Sequence, residues 1–424
     1  MSISFATCTK QGRNVGNGDK ASDFSSDVLD KWMVMQIRLM RDEVGIPNVN
    51  FTRPYAYSGI AALESIAPGI PGNEGFSITW NGLGALPVVD KSKDYFWPAS
   101  LNAALASMNH QMFPKANSVD SAAIDSLESA LNNSFQESPD VLSRSAGFGK
   151  SIAAAIFVWS ETDGYQHEND PYTPPVGFGL WVPTPPAFAK ASTPYWGNNR
   201  PIISGSTEGT FAGTPIPYSE IPKSAFFQEV FEVYNASQNL TPDQTALALF
   251  WRDYPIGLTT AGHWLNILHQ VLNQTNTNLA KAAFAYALSG TSIYDASISC
   301  WQAKYTYNQV RPITYIRNVM GFSTWNALIA TPAHPEYPSA HAMLSSATAE
   351  ALEKIFGDIG PFTDHSYDYL GMSPRTYASF TAIAEEVATA RVLAGLHYRP
   401  SCDTGIVKGT RVADNIFNII RWQH

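Results

Sequence analysis

The chain has 424 residues, room for one large domain or two to three average ones, and it can bury a sizeable core without staples. Only 15% of residues are charged, while 45% are hydrophobic and 12% aromatic, which excludes a disordered chain and any collagen-like or coiled-coil bias. The net charge of −9 leaves no dominant basic face and argues against nucleic acid as a partner.

The start of the chain, Met1 to Asn17, has no apolar core of a secretory signal. Helical spacing begins at Leu29 to Arg41, with Leu29, Trp32, Met33, Met35, Ile37 and Met40 in register. Pro54 to Ile66 and Ala99 to Met112 are Ala/Leu-rich helices, and Ser118 to Asn132 opens on Ser and Asp. Leu142 to Thr162 is a long helix holding the most apolar run, Ile152 to Trp159, far shorter than the about 20 residues that cross a bilayer. Thr241-Pro242-Asp243-Gln244 has the form of a capping box with proline at the first helical position and leads into Ala246 to Trp251. Gly262 to Leu272, Asn278 to Tyr307 and Tyr315 to Met320 continue the helical text. Ser339 to Phe356 ends at a glycine cap, Gly357. Ser373-Pro374 opens a helix running to Ala394, and Gly405 to Arg421 is the last. Strand text is scarce: only Phe76 to Trp80 and Ile202-Ile203 read as extended. The fold class is all-α, built of packed helical bundles.

One stretch breaks the pattern. Between Pro171 and Pro222 lie 11 of the 28 prolines, so this segment is not helix. It is either a linker or an ordered wrap that walls a site, and Trp181, Phe188, Tyr195 and Trp196 favour the wrap. We read the chain as one large helical domain of two halves. The N-terminal helices cover about 1–165, the Pro/Gly-rich segment about 166–225, and a C-terminal bundle about 226–424. Cys8, Cys300 and Cys402 cannot form a disulfide framework and lack the close spacing of a zinc or iron–sulfur site. Abundant Ser, Thr, Asn and Gln point to an exported protein, periplasmic or extracellular, and the aromatic content is compatible with a homo-oligomer.

Three motifs in the C-terminal half carry chemistry: Lys304 to Arg311-Pro312, Pro338-Ser339-Ala340-His341, and Arg391 to His397. Alone, each reads as a solvated helix face or a plain cap. Together they place three cations among apolar neighbours in an anionic chain, where each needs a counter-charge if buried. Lys304 and Arg311 are seven apart and so can share one helix face, with Pro312 ending the helix just after the arginine. Ser339 is the cap of a helix N-terminus, where free N–H groups attract an anion, and His341 follows in the first turn. Gly395 lets the chain turn between Arg391 and His397. The sum is a pocket for a tetrahedral or trigonal-bipyramidal oxyanion, phosphate or vanadate.

In this order the motifs resemble those of the vanadium-dependent haloperoxidase and type 2 phosphatidic acid phosphatase superfamily. The flanks Tyr294-Asp295, Trp301 to Lys304, Gly262-His263-Trp264, His334 to Ser339 and Gly395 to Arg399 are similar to its bacterial haloperoxidase branch. The resemblance implies two four-helix bundles with the site in one of them. It implies that His397 ligates vanadate, that Lys304, Arg311, Ser339, the Ala340 N–H and Arg391 bind the oxyanion, and that His341 is the general acid/base. Hydrogen peroxide and halide would then be the substrates, with Lys304 polarising the peroxide and hypohalous acid as product. In the phosphatases of the same frame, His397 would attack the phosphorus of a phosphate ester and His341 would protonate the leaving group, with no cofactor.

Two positions depart from the family pattern. Ala340 stands where glycine is usual. Ser401 stands where an aspartate often supports the last histidine, and the nearest carboxylate in sequence is Asp403. His334 occupies a place where bromide-using relatives tend to carry histidine and chloride-using ones phenylalanine. It therefore points to bromide or iodide, or else is a surface histidine beside a proline. Trp301, one turn before Lys304, is a wall of the halide pocket or a core residue. The leading reading is a vanadate-dependent haloperoxidase. The alternatives are a soluble acid phosphatase, an oxyanion-binding homologue without catalysis, and a zinc hydrolase built on His334, His341 and Glu336. Absence of membrane helices disfavours a lipid phosphatase.

Overall fold

Side-chain caps set most of the helix starts in this chain. The Asn117 side chain accepts from the N–H groups of Val119 and Asp120, and Ser138, Ser224, Thr259, Asn278 and Ser379 each accept one first-turn N–H. Both halves of the Thr241–Gln244 capping box form, at 3.2 and 3.0 Å. A computed structural model describes residues 19–72, 79–253 and 258–420. The reading of Met1 to Asn17, Cys8 and most of the Phe76 to Trp80 extension lies outside those residues.

Thirteen α-helices form among the described residues: α1 (Asp27–Asp42), α2 (Thr52–Glu64), α3 (Trp97–Met112), α4 (Ser118–Ser134), α5 (Pro139–Ser160), α6 (Ala225–Gln238), α7 (Pro242–Phe250), α8 (Thr260–Thr275), α9 (Leu279–Tyr307), α10 (Pro312–Asn318), α11 (Ala340–Phe356), α12 (Phe380–Leu393) and α13 (Arg399–Ile419). The protein is all-α. Among the described residues one sheet forms, pairing β1 (Phe362–Asp364) with β2 (Arg375–Tyr377) antiparallel, Phe362 opposite Tyr377. The helix expected from Ser373 instead starts at Phe380, because residues 375–377 pair as a strand and Ser379 supplies the cap. The last helix starts at Arg399, before Gly405, with Pro400 in its first turn. Helix α6, amphipathic and aromatic, has no counterpart in the sequence reading. Helix α5 is long and apolar enough to cross a membrane, so the short run Ile152 to Trp159 understated it. It packs Phe148, Gly149, Ile152 and Ile156 into the protein.

Helix α9 is the axis. It is buried nearly all round, with α2 against one side and α11 against another. The α2 contact is close because a Cβ on Gly59 would sit 2.7 Å from the Tyr286 carbonyl oxygen. Helix α13 approaches α11 in the same way: a Cβ on Gly405 would lie 2.9 Å from the Ser339 carbonyl oxygen, and one on Gly409 would collide with that of Met343. These contacts fix the N-terminus of α11.

The proline-rich segment is ordered and runs along α9. The indole N–H of Trp196 donates to Ser297 (2.7 Å), that of Trp301 donates to Thr193 (2.9 Å), and the Tyr305 hydroxyl donates to the Ser192 carbonyl. Ser297, Trp301 and Tyr305 are four residues apart and share one helix face. Nearby, Asp295 accepts from the N–H groups of Ile202 and Ile203 and from the Ser206 hydroxyl. Trp181 and Trp196 are buried, whereas Phe188 is exposed.

Gly409→Ala is expected to destabilise the protein by about 1–3 kcal/mol, the range for overpacking a tight contact. Urea unfolding measures it. An unchanged midpoint would mean that α13 can move off α11 freely.

Candidate functional site

Lys304 stands in the last turn of α9, which ends at Asn308 in a left-handed conformation (φ 47°). Arg311 is therefore not on that helix. It is the residue before α10, and Pro312 opens α10 rather than breaking α9. The two cations meet because the chain turns, not because they share a helix face. Ser339 precedes α11, and His341 lies in its first turn. Arg391 ends α12. His397 lies in the turn to α13, after Gly395 (φ 80°).

Lys304, Arg311, Arg391, Ser339 and His397 are all buried, none more than 1% exposed. Among the described residues, none of the three cations makes an ion pair with a carboxylate. Backbone carbonyls hold them instead. Lys304 Nζ donates to Pro335 O (3.0 Å) and Glu336 O (2.9 Å). Arg311 donates to His334 O (2.9 Å) and Leu396 O (3.1 Å), and Arg391 to Trp251 O (2.8 Å). Burial lowers Lys304 to about 7 and both arginines to about 10, against the partial pull of Glu336 on Lys304 and Arg311 and of Asp253 on Arg391.

Donors remain. Ser339 is the N-cap of α11 but makes no cap hydrogen bond, and its buried hydroxyl makes no hydrogen bond of good geometry, with the Cys402 thiol beside it. Arg391 Nε likewise makes none. Lys304 has a third proton. The first N–H groups of α11, including that of Ala340, have no intrahelical acceptor. Ala340 itself belongs to the main apolar core.

His397 Nδ1 lies 2.8 Å from Glu336 Oε1, and Nε2 lies 3.2 Å from Arg311 Nη1. A guanidinium only donates, so the proton sits on Nδ1 and Nε2 keeps a lone pair. The carboxylate sought at Ser401 or Asp403 is thus supplied by Glu336, while Asp403 is exposed. Burial raises Glu336 to about 7 against the pull of Arg311 and Lys304. His334 Nδ1 lies 3.0 Å from Arg311 Nη2 and 3.2 Å from the Pro335 carbonyl oxygen; the guanidinium can only donate, so with the shorter contact made Nδ1 accepts and the proton is on Nε2. Burial, then Lys304 and Arg311, hold His334 neutral. Its ring sits 5.2 Å from that of Trp301, so it is part of the site wall and not a surface histidine. Trp301 is both wall and core, only 4% exposed.

His341 Nε2 meets Thr260 Oγ1 (3.2 Å) and Asp253 Oδ2 (3.5 Å). Burial and then Arg391 lower it to about 3, so it is neutral in the free site. Asp253 and Thr260 were missed in the sequence because they lie some 80 residues from His341 with no spacing rule to link them. Glu336 lay inside a quoted motif but had no assigned partner. Glu336 faces His397 while His341 faces Asp253, so the three-residue zinc set does not assemble. Among the described residues no His, Cys, Asp or Glu cluster suits a metal cation.

Comparison with known proteins agrees with this geometry. A family model described as the VCPO second helical-bundle domain matches residues 284–423, which include all three motifs. A bacterial vanadium-dependent iodoperoxidase structure aligns with a TM-score of 0.85 at 28% identity, covering 94% of this chain and 97% of that one. The chain is thus similar to vanadium haloperoxidases, in sequence over its C-terminal bundle and in fold over nearly its whole length. The vanadium chloroperoxidase of Curvularia inaequalis is 23% identical over 61% of this chain, and the match spans about half (51%) of that relative's length. A holo-type bacterial vanadium-dependent chloroperoxidase shares the fold, with a TM-score of 0.69 at 19% identity over 90% of this chain and 93% of that one.

An oxyanion entering the site should return Lys304 to its charged form. Orthophosphate or orthovanadate binding is therefore expected to take up protons between about pH 7 and 9 and to weaken as pH rises. Calorimetry in buffers of different ionisation enthalpy measures this. A heat independent of buffer would show that Lys304 is already charged.

Proposed function

We propose that the protein is a vanadate-dependent haloperoxidase that oxidises bromide or iodide with hydrogen peroxide. The observation that carries this reading is three buried cations that make no ion pair among the described residues, gathered around a helix N-terminus beside His397 Nε2, whose lone pair points to Arg311. The Ser339 hydroxyl and Arg391 Nε, neither in a hydrogen bond of good geometry, fit an oxyanion at that place. His397 Nε2 would ligate vanadate. Lys304, Arg311, Arg391, Ser339 and the Ala340 N–H would hold its oxygens. Bound vanadate would supply a Lewis acid that activates peroxide toward halide without redox change at the metal.

Each side chain has a separate task. Glu336 keeps the His397 proton on Nδ1 and so keeps Nε2 available. His341 would serve as the acid/base group, accepting a proton from hydrogen peroxide and handing it back to a leaving oxygen. Asp253 and Thr260 orient it from the Nε2 side. His334 Nε2–H and the Trp301 ring would border the halide, and a neutral N–H donor there suits the larger, more weakly hydrated bromide or iodide. We also propose that residues of about 226–424 form the unit carrying the site, and that the protein works outside the cytoplasm on small-molecule substrates.

A second reading is a soluble acid phosphatase, and one observation favours it. Glu336 on His397 Nδ1 provides the carboxylate that a nucleophilic histidine needs. Oxyanion binding without turnover is the remaining outcome.

The test is halide oxidation by peroxide with and without orthovanadate, run beside p-nitrophenyl phosphate hydrolysis. Activity that needs vanadate, with bromide and iodide well ahead of chloride, is expected. Vanadate-inhibited ester hydrolysis alone would establish the phosphatase. His397→Ala should abolish vanadate binding and turnover with the fold intact, and full activity in it would sink the assignment. Lys304→Ala or Arg391→Ala should weaken oxyanion affinity about tenfold to a hundredfold, the worth of one charged hydrogen bond. His334→Phe should raise chloride turnover relative to bromide.

A further inference from the structure

Behind His341 lies a second buried histidine that the reaction does not touch. His263, in α8, is fully buried, and each ring nitrogen meets a carboxylate: Nδ1 lies 3.0 Å from Asp253 Oδ1, and Nε2 lies 2.8 Å from Asp364 Oδ2. Its ring stacks on Trp251 at 4.4 Å, and Phe250 and Tyr367 close the other sides. The Tyr367 hydroxyl donates to Asp253 Oδ1 (3.1 Å). Asp364 Oδ1 accepts from Gln270 (3.2 Å) and from the Ser366 N–H (2.9 Å) and hydroxyl. An ionised carboxylate only accepts, so two carboxylates on one ring require both nitrogens to donate. The ring is then an imidazolium. Burial opposes that charge, but Asp364 and Asp253 raise His263 to about 9. Both aspartates stay below the usual carboxylate range despite burial, chiefly through His263.

We propose that His263 is a positioning residue for the reaction: clamped between Asp253 and Asp364, it keeps the Asp253 carboxylate ionised and fixed on the far side of His341. The proposal rests on His341 being the acid/base residue. Without the imidazolium, two buried carboxylates would face one gap and one of them would take up a proton. A protonated Asp253 no longer favours a proton on His341. That matters because Arg391, Lys304 and Arg311 all push His341 toward the neutral form, and among these close charges Asp253 alone opposes them. The groups facing His263 are Asp253, Asp364 and Tyr367. Arg391 and His341 act on it only through Asp253.

The test has two arms on the full chain. Nitrogen-15 NMR of the imidazoles, without any oxyanion, should show both His263 nitrogens protonated at pH 8, assigned by loss of the signal in His263→Gln. A neutral ring there overturns the proposal. In the second arm, His263→Gln and the near-isosteric Asp364→Asn should lower kcat about tenfold to a hundredfold. KM for peroxide, or for p-nitrophenyl phosphate if that is the reaction, and affinity for orthovanadate should barely change. In a His341→Ala background the same substitutions should change the residual kcat less than twofold. An equal loss in both backgrounds means a role in the fold alone and overturns the proposal. A wild-type protein with no turnover but a charged His263 would sink the functional reading only. An active enzyme with a neutral His263 would sink this inference only.

Discussion

Three cations buried without ion pairs are the constraint around which the structure is arranged. Desolvating a charge costs several kcal/mol even after the protein relaxes. Carbonyl oxygens offset part of this for Lys304, Arg311 and Arg391; among the described residues no carboxylate pairs with them directly, and Glu336 and Asp253 act only from beyond ion-pair distance. An arrangement of this kind is stable only on a rigid frame. The frame is α9, α11 and α13, locked by glycine contacts at the N-terminus of α11. The same depressed ionisation that makes the free site costly makes it receptive to an oxyanion.

The proline-rich segment belongs to that frame. It has almost no regular structure of its own, and its order comes from α9. Trp196, Thr193 and Ser192 descend the face defined by Ser297, Trp301 and Tyr305, and Ser192 N–H reaches Ala333 O at 2.8 Å. The segment thereby touches the chain one residue before His334. Trp301 has its indole N–H fixed on the segment and its ring near His334. A change in the wrap would reach the site through that indole.

Much of this was legible in the sequence because it is local. The capping box at Thr241, the helix starts at Asn278 and Ser339, the glycine end at Gly357 and the charge pattern of the three motifs depend on neighbours a few residues apart. Tertiary pairing was not legible. Nothing near Lys304 says that Asn308 turns left-handed and takes Arg311 off the helix. Residues 375–377 pair as a strand only because Phe362–Asp364 lies opposite. The support of His397 was sought four residues downstream, at Ser401, but it comes from Glu336, 61 residues upstream. Asp253 and His263 become a pair with His341 only once α8 is packed beside α11.

The segment from His334 to Ser339 has a property of its own. Its carbonyls hold Arg311 and Lys304, its one carboxylate holds His397, and its last residue stands at the start of α11 with its hydroxyl left over. His334 adds a second tie to Arg311 through its ring. Under the proposed function, the residue bordering the halide would also hold an arginine that binds the anion. Selectivity and cofactor retention would then be coupled at that position, and a change of one would carry a change of the other unless a second substitution restored the acceptor that Arg311 had lost.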